Sequence, residues 1–235
     1  MVGNQHTSKQ YDAELESLRV RVLLMGELVT RQVQLSIEAL NKGDKGLTNR
    51  IIADDHRVDA FEADIDQSCC QIVARRQPTA NDLRMLMMVT KTITGLKRIG
   101  DEAKAIAITA GILSQRKNLT LPRFDKIKYI ANLALDMLHK SLDAFASLEI
   151  SDVARIARQD EQVDEEFRII VRHLATFMME NPRTISNALE ILFVAKAIRH
   201  IGEHARSMSE YVIYMVKGCD IRHNTAAEIE REIRQ

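Results

Sequence analysis

Two stretches decide how this chain folds: "IIADDHRVDAFEADI" at residues 51–65 and "IARQDEQVDEEFRII" at residues 156–170. Asp55, Val58 and Asp59 of the first fall on Asp160, Val163 and Asp164 of the second, each displaced by 105 positions. A second echo lies downstream, where "LKRIGDEAKAIA" at 96–107 returns as "IRHIGEHARSMS" at 198–209. Arg98, Ile99, Gly100, Asp101 and Ala103 then fall on His200, Ile201, Gly202, Glu203 and Ala205, displaced by 102. Two similar displacements in the same order mean one unit of about a hundred residues written twice.

Each copy reads as three helices. Gly, Pro, Asn and Ser cluster at "NKGDKG" (41–46), "RRQPTAND" (75–82), "SQRKNLTLPR" (114–123), "SLEISD" (147–152) and "ENPRT" (180–184), and these are breaks. Between them run stretches of about 25 to 35 residues with apolar side chains at 3–4 spacing, long enough for helices of about 40–50 Å. Tight links between long helices favour antiparallel packing. The expected fold is therefore all-α, with two tandem antiparallel three-helix bundles over residues 1–117 and 118–235. The second copy ends in a polar tail after Gly218.

Composition agrees and narrows the function. With 46% hydrophobic residues among 235, the chain can bury a real core, and only three Pro and nine Gly suit long helices better than a β-sandwich. Lys+Arg and Asp+Glu both number 33, so the basic excess of a nucleic-acid binder is missing and nucleic acid is excluded as a partner. No apolar run approaches the ~20 residues that cross a bilayer. The polar start "MVGNQHTSKQYDAELESL" lacks a signal-peptide hydrophobic region. Cys69 and Cys70 are adjacent and the third cysteine stands alone, which makes neither a disulfide framework nor a zinc ribbon. The expectation is a soluble cytoplasmic protein.

One motif suggests catalysis. His200-x-x-Glu203-His204 has the order of a zinc-peptidase signature, with two histidines on one helical face and a glutamate beside them. The repeat argues against it. His200 corresponds to Arg98 and His204 to Glu102, so the first copy has no histidine pair. What both copies keep is Ile-Gly followed by an acid. The expectation is no peptidase and no catalytic residue.

The acids on the second helix of each copy carry more. The core stripe Ile156, Asp160, Val163, Phe167, Ile170, Leu174, Phe177 places an aspartate among apolar positions, and Asp55 occupies the same place in Ile51, Asp55, Val58, Glu62, Ile65, Cys69, Ile72. Asp59 and Asp164 follow four residues on, on the same face. An unpaired carboxylate there costs several kcal/mol, so a cation must meet it or it must sit at a wet edge. Asp101 and Glu203 are the natural third members of the two clusters. Carboxylates alone suit Mg, Mn, Ca or oxidised iron as a cofactor. A solvated acidic seam with internal salt bridges fits the spacing equally well. Gly100 and Gly202, mid-helix on the packed stripes Leu86 to Ala107 and Ala188 to Ser209, signal either tight helix packing or a closely approaching group.

At these residues the chain resembles the PhoU family of phosphate-uptake regulators. The resemblance covers nearly the whole length: "MGELV" (25–29), the two D-x-x-V-D units, "RQPTANDLRMLMMVTKTITGLKRIGDEA" (76–103) and "YMVKGCDIRH" (214–223). It implies two three-helix bundles related by an approximate two-fold, and a cytoplasmic homodimer. It also implies a non-catalytic regulator that links the phosphate ABC transporter ATPase to a sensor histidine kinase. Such a protein holds the phosphate-starvation response off when phosphate is plentiful, and meets the membrane only through its partners. Many members carry acid-x-x-x-Asp pairs on the second and third helices that hold metal clusters in some homologues. Asp55/Asp59 and Asp160/Asp164 match the second-helix pairs. The third-helix pairs depart, because Lys97 precedes Asp101 and Arg199 precedes Glu203 where the family has an acid. The rival classes are a ferritin-like carboxylate-bridged enzyme, which wants inward Glu-x-x-His pairs absent here, and a purely structural helical adaptor.

Overall fold

The computed structural model describes residues 9–43, 45–115, 125–222 and 224–234. Seven α-helices follow in order: α1 (Lys9–Lys42), α2 (Lys45–Arg76), α3 (Ala80–Gln115), α4 (Asp125–Ser147), α5 (Val153–Glu180), α6 (Ile185–Lys217) and α7 (Ala226–Arg234). A short 3₁₀ turn, Pro182–Thr184, leads into α6, with Pro182 at a position whose N–H needs no partner. The breaks expected from Gly, Pro and Asn separate α1 from α2, α2 from α3, α4 from α5 and α5 from α6. Most of the 114–123 break, and the expected domain boundary between 117 and 118, lie outside the described residues.

Within each copy the three helices alternate in direction. Arg21 bonds Asp64 while Arg76 bonds Glu14, so α2 descends as α1 ascends. Thr48 donates to the Ala107 carbonyl and Lys104 to Asp55, which sets α3 against α2 in the same way. Lys126 with Glu166 and Lys140 with Gln159 reproduce this for α4 and α5. The two copies also meet antiparallel, α1 on α4 through Arg19 and the Ala146 carbonyl, and α3 on α6 through Glu102 and His200.

The bundles do not keep separate cores. One continuous apolar cluster runs from Leu18, Met25 and Ile99 in the first copy to Met137, Ile198 and Met208 in the second. Contact along the α1–α4 seam is close enough that a Cβ on Gly26 would lie 2.5 Å from Leu142 Cδ2. Both third-helix stripes are buried throughout. Gly100 and Gly202 serve ordinary packing: an added Cβ would meet the Gln32 and Val58 side chains at 3.3 and 3.6 Å, and Met137 at 3.6 Å. The nearest neighbours of both are side chains rather than a second backbone.

The segment after Gly218 departs from the polar tail expected of it. Gly218 closes α6 in the left-handed conformation (φ 76°), its N–H bonded to the Tyr214 carbonyl, and the chain then turns back. Thr225 and Glu228 form a reciprocal cap in which the Thr225 N–H donates to Glu228 (2.7 Å) and the Glu228 N–H to Thr225 (3.3 Å). The helix so started, α7, buries Ala226 and Ile229 against Val153, Ala157 and Ile213. Its apolar residues are few but fall on one face, and that face is enough to dock it.

Candidate functional site

The repeated acids converge, and in each copy they converge on a cation. In the first copy Lys97 Nζ lies 2.7 Å from Asp59 Oδ1, 2.7 Å from Asp101 Oδ1 and 3.4 Å from Asp55 Oδ1. Lys104 closes the cluster from two turns further along α3, 2.7 Å from Asp55 Oδ2. Asp55 is 3% exposed, so burial pushes its carboxyl upward; the Lys104 hydrogen bond and the two ammonium charges outweigh this and hold it below the usual range. Burial likewise works against the Lys97 ammonium, but its bonds to Asp101 and Asp59 raise it well above an ordinary lysine.

The second copy uses guanidinium in the same places. Arg199 donates from Nε to Asp164 Oδ1 at 2.6 Å and from its terminal nitrogen to Glu203 Oε1 at 2.5 Å, with its plane over the Phe167 ring. Arg206, the repeat counterpart of Lys104, reaches Asp160 Oδ2 at 3.1 Å, Glu210 Oε1 at 3.0 Å and the Asn224 carbonyl at 3.0 Å. One guanidinium thus ties α5, α6 and the connection into α7. It does not satisfy Asp160 fully. Oδ1 of that residue is buried without a hydrogen-bond partner, and burial, only partly offset by Arg206, raises its carboxyl above the ordinary value.

Asp55, Asp59, Asp101, Asp160, Asp164 and Glu203 are therefore all where the repeat places them. As arranged, their donor set does not fit a metal ion. The Lys97 ammonium and the Arg199 guanidinium stand where an ion would have to bridge the second- and third-helix carboxylates. Among the described residues no three His, Cys, Asp or Glu side chains group with metal-binding geometry. The sequence reading missed Lys104 and Arg206, although the displacement of 102 joins them too and both are basic.

The histidine motif disperses. His200 Nδ1 meets Glu102 Oε1 at 2.8 Å across the α3–α6 seam. His204 makes no such pair among the described residues; burial first, then the charges of Arg98 and His200, hold it below an ordinary histidine and therefore neutral at pH 7. Glu203 is taken by Arg199. Glu102 and Arg98 are the repeat counterparts of His204 and His200, so the motif is a meeting of the two copies about their common axis.

The fold and these clusters define a class: all-α proteins in which two copies of a three-helix unit share one core, each with acids of its second and third helices gathered at one point. A family model described as "PhoU domain" matches residues 22–110 and 127–212, one match per copy. The chain is 42% identical over 228 residues to the phosphate-specific transport system accessory protein PhoU of Escherichia coli (strain K12), covering 97% of this chain and 94% of that relative. It is 38% identical to the Pseudomonas aeruginosa homolog, over 97% of this chain and 94% of the other. The crystal structure of PhoU from Pseudomonas aeruginosa superposes with a TM-score of 0.86 at 37% identity, covering 89% of this chain and all (100%) of that one. The Streptococcus pneumoniae phosphate transport system regulatory protein PhoU superposes with a TM-score of 0.82 at 25% identity, over 89% and 98%. The chain belongs to the PhoU family.

Proposed function

We propose that this chain is an accessory protein of phosphate transport that holds the phosphate-starvation response off while phosphate is abundant. It does so by linking the phosphate ABC transporter ATPase to a sensor histidine kinase. The observation that carries this reading is the family match over both copies, together with full-length relatives described as phosphate-specific transport system accessory proteins. The chemistry of the clusters is in keeping with it. Each acid bonds a basic side chain of the same chain, which is a means of fixing helices rather than of turning over a substrate.

Partner binding by long helical faces is the mode such a molecule offers. No described helix is long and apolar enough to cross a membrane. Contact with the transporter through its cytoplasmic ATPase is part of the proposal. A homodimer in the cytoplasm is part of the same proposal. Deleting the gene in its host tests the regulatory role directly. Phosphate-starvation genes should stay on in phosphate-rich medium and be silenced again by the wild-type gene in trans. Normal repression in the deletion strain counts against the reading.

A further inference from the structure

The outer side of the α3–α6 seam carries a groove that the clusters do not explain. Arg84, Lys91 and Arg98 recur every seven residues along α3, two helical turns apart, and so fall on one line about 20 Å long. Two adjoining cavities of about 540 and 280 Å³ follow that line and meet at Lys91, Tyr211 and Arg222. Apolar surface lies alongside: Leu83 is 40% and Met87 51% exposed.

The charge in this groove is one-sided. Its acids are spent, Asp220 on Arg222 and Glu210 on Arg206. No carboxylate among the described residues stands within salt-bridge reach of Arg84, Lys91 or Arg98. Arg84 bonds the Asn81 side-chain oxygen (2.6 Å) and covers the Tyr214 ring at 5.9 Å, and Lys91 covers Tyr211 at 5.6 Å. The fold does not require these cations. Their repeat counterparts are Ser186, Phe193 and His200, and the second copy packs the same helix without them. Cations present in one copy only, with Arg98 exposed and Arg84 and Lys91 half-buried, and with no carboxylate bonded to any of the three among the described residues, belong to an interaction and not to the scaffold.

We propose that this groove docks an acidic amphipathic helix of a partner protein. Carboxylates spaced by seven residues would pair with Arg84, Lys91 and Arg98, and the helix's apolar edge would cover Leu83 and Met87. A line of three cations over about 20 Å is too long for one small anion and matches the two-turn period of a helix. A flat anionic membrane is the poorer fit, because the line follows a recess rather than a protruding rim. The proposal stands apart from which protein supplies the helix.

The test uses the full chain and a fluorescent 21-residue peptide with leucines along one helical face and glutamates beside them. A second peptide has lysine for every glutamate, and phosphatidylglycerol vesicles are a third probe. Wild-type protein should bind the acidic peptide saturably, at least tenfold more tightly than the lysine peptide, with affinity falling as salt rises. Lys91→Gln/Arg98→Gln, which spares the Arg84 contact with the end of α6, should lose at least tenfold in affinity with unchanged circular dichroism and melting temperature. Equal binding of the two peptides overturns the proposal. So does acidic-peptide binding that the double variant leaves intact, or a loss confined to the vesicles.

Discussion

Arg206 and Asp160 form a pair that is only half made: the guanidinium reaches Oδ2 at 3.1 Å, and Oδ1 is left buried and unbonded. The repeat-related Asp55 has both oxygens engaged, by Lys97 and Lys104. Equivalent acids in one fold therefore differ in the sign of their effect on stability.

That difference sets a pH prediction. Asp55 is held below its ordinary value of 3.8, so its pairing stabilises fully above that pH and is lost as pH falls through the lower folded value. Asp160 is raised above 3.8, so the folded state is the better proton binder. Stability from that residue declines as pH rises from 3.8 through the folded value. Asp55→Asn should cost about 2 kcal/mol at pH 7, the scale of a charge-assisted hydrogen bond. Asp160→Asn should stay within about 1 kcal/mol of wild type. Melting curves between pH 2 and 7 check both: the first variant should flatten the acid limb, and the second should remove a decline above 3.8.

A second prediction concerns the two bridging cations. If Lys97 and Arg199 take the place of an ion, Lys97→Glu/Arg199→Glu restores acid-x-x-x-acid pairs opposite Asp59 and Asp164. The double variant should be less stable alone and regain stability on adding Mn, Mg or ferric iron, read by thermal melting and elemental analysis. Wild-type protein should respond little. Equal metal binding by both proteins would refute the counterion account.

A third addresses the histidines. His200→Ala removes a half-buried pair with Glu102 and should cost about 1 kcal/mol or less. His200→Ala/His204→Ala should leave metal content and phosphate-dependent repression as in wild type. Loss of one equivalent of zinc in that variant would restore the peptidase-like reading.

Much of this molecule is legible in its sequence. The displacements of 105 and 102, the 3–4 apolar stripes and the breaks at Gly, Pro and Asn determined an all-α chain of two related three-helix units. They also put Asp55 and Asp160 on buried faces, because helical periodicity alone dictates which side chains point inward. Residues that act along one helix are readable from spacing.

What only tertiary structure decided is which side chains meet between helices. Spacing could not choose between a metal site and a salt-bridged seam. The choice rests on whether Lys97 and Arg199 turn inward, and flexible stems of that kind reach the cluster or solvent with equal ease. The second bases, Lys104 and Arg206, the His200–Glu102 contact and the groove beside Arg84, Lys91 and Arg98 all join helices distant in sequence. So does the docking of α7, whose cap and apolar face are local but whose neighbours Val153, Ala157 and Ile213 are distant in sequence. Periodicity is a property of one helix, whereas partnership depends on the register and direction in which two helices pack.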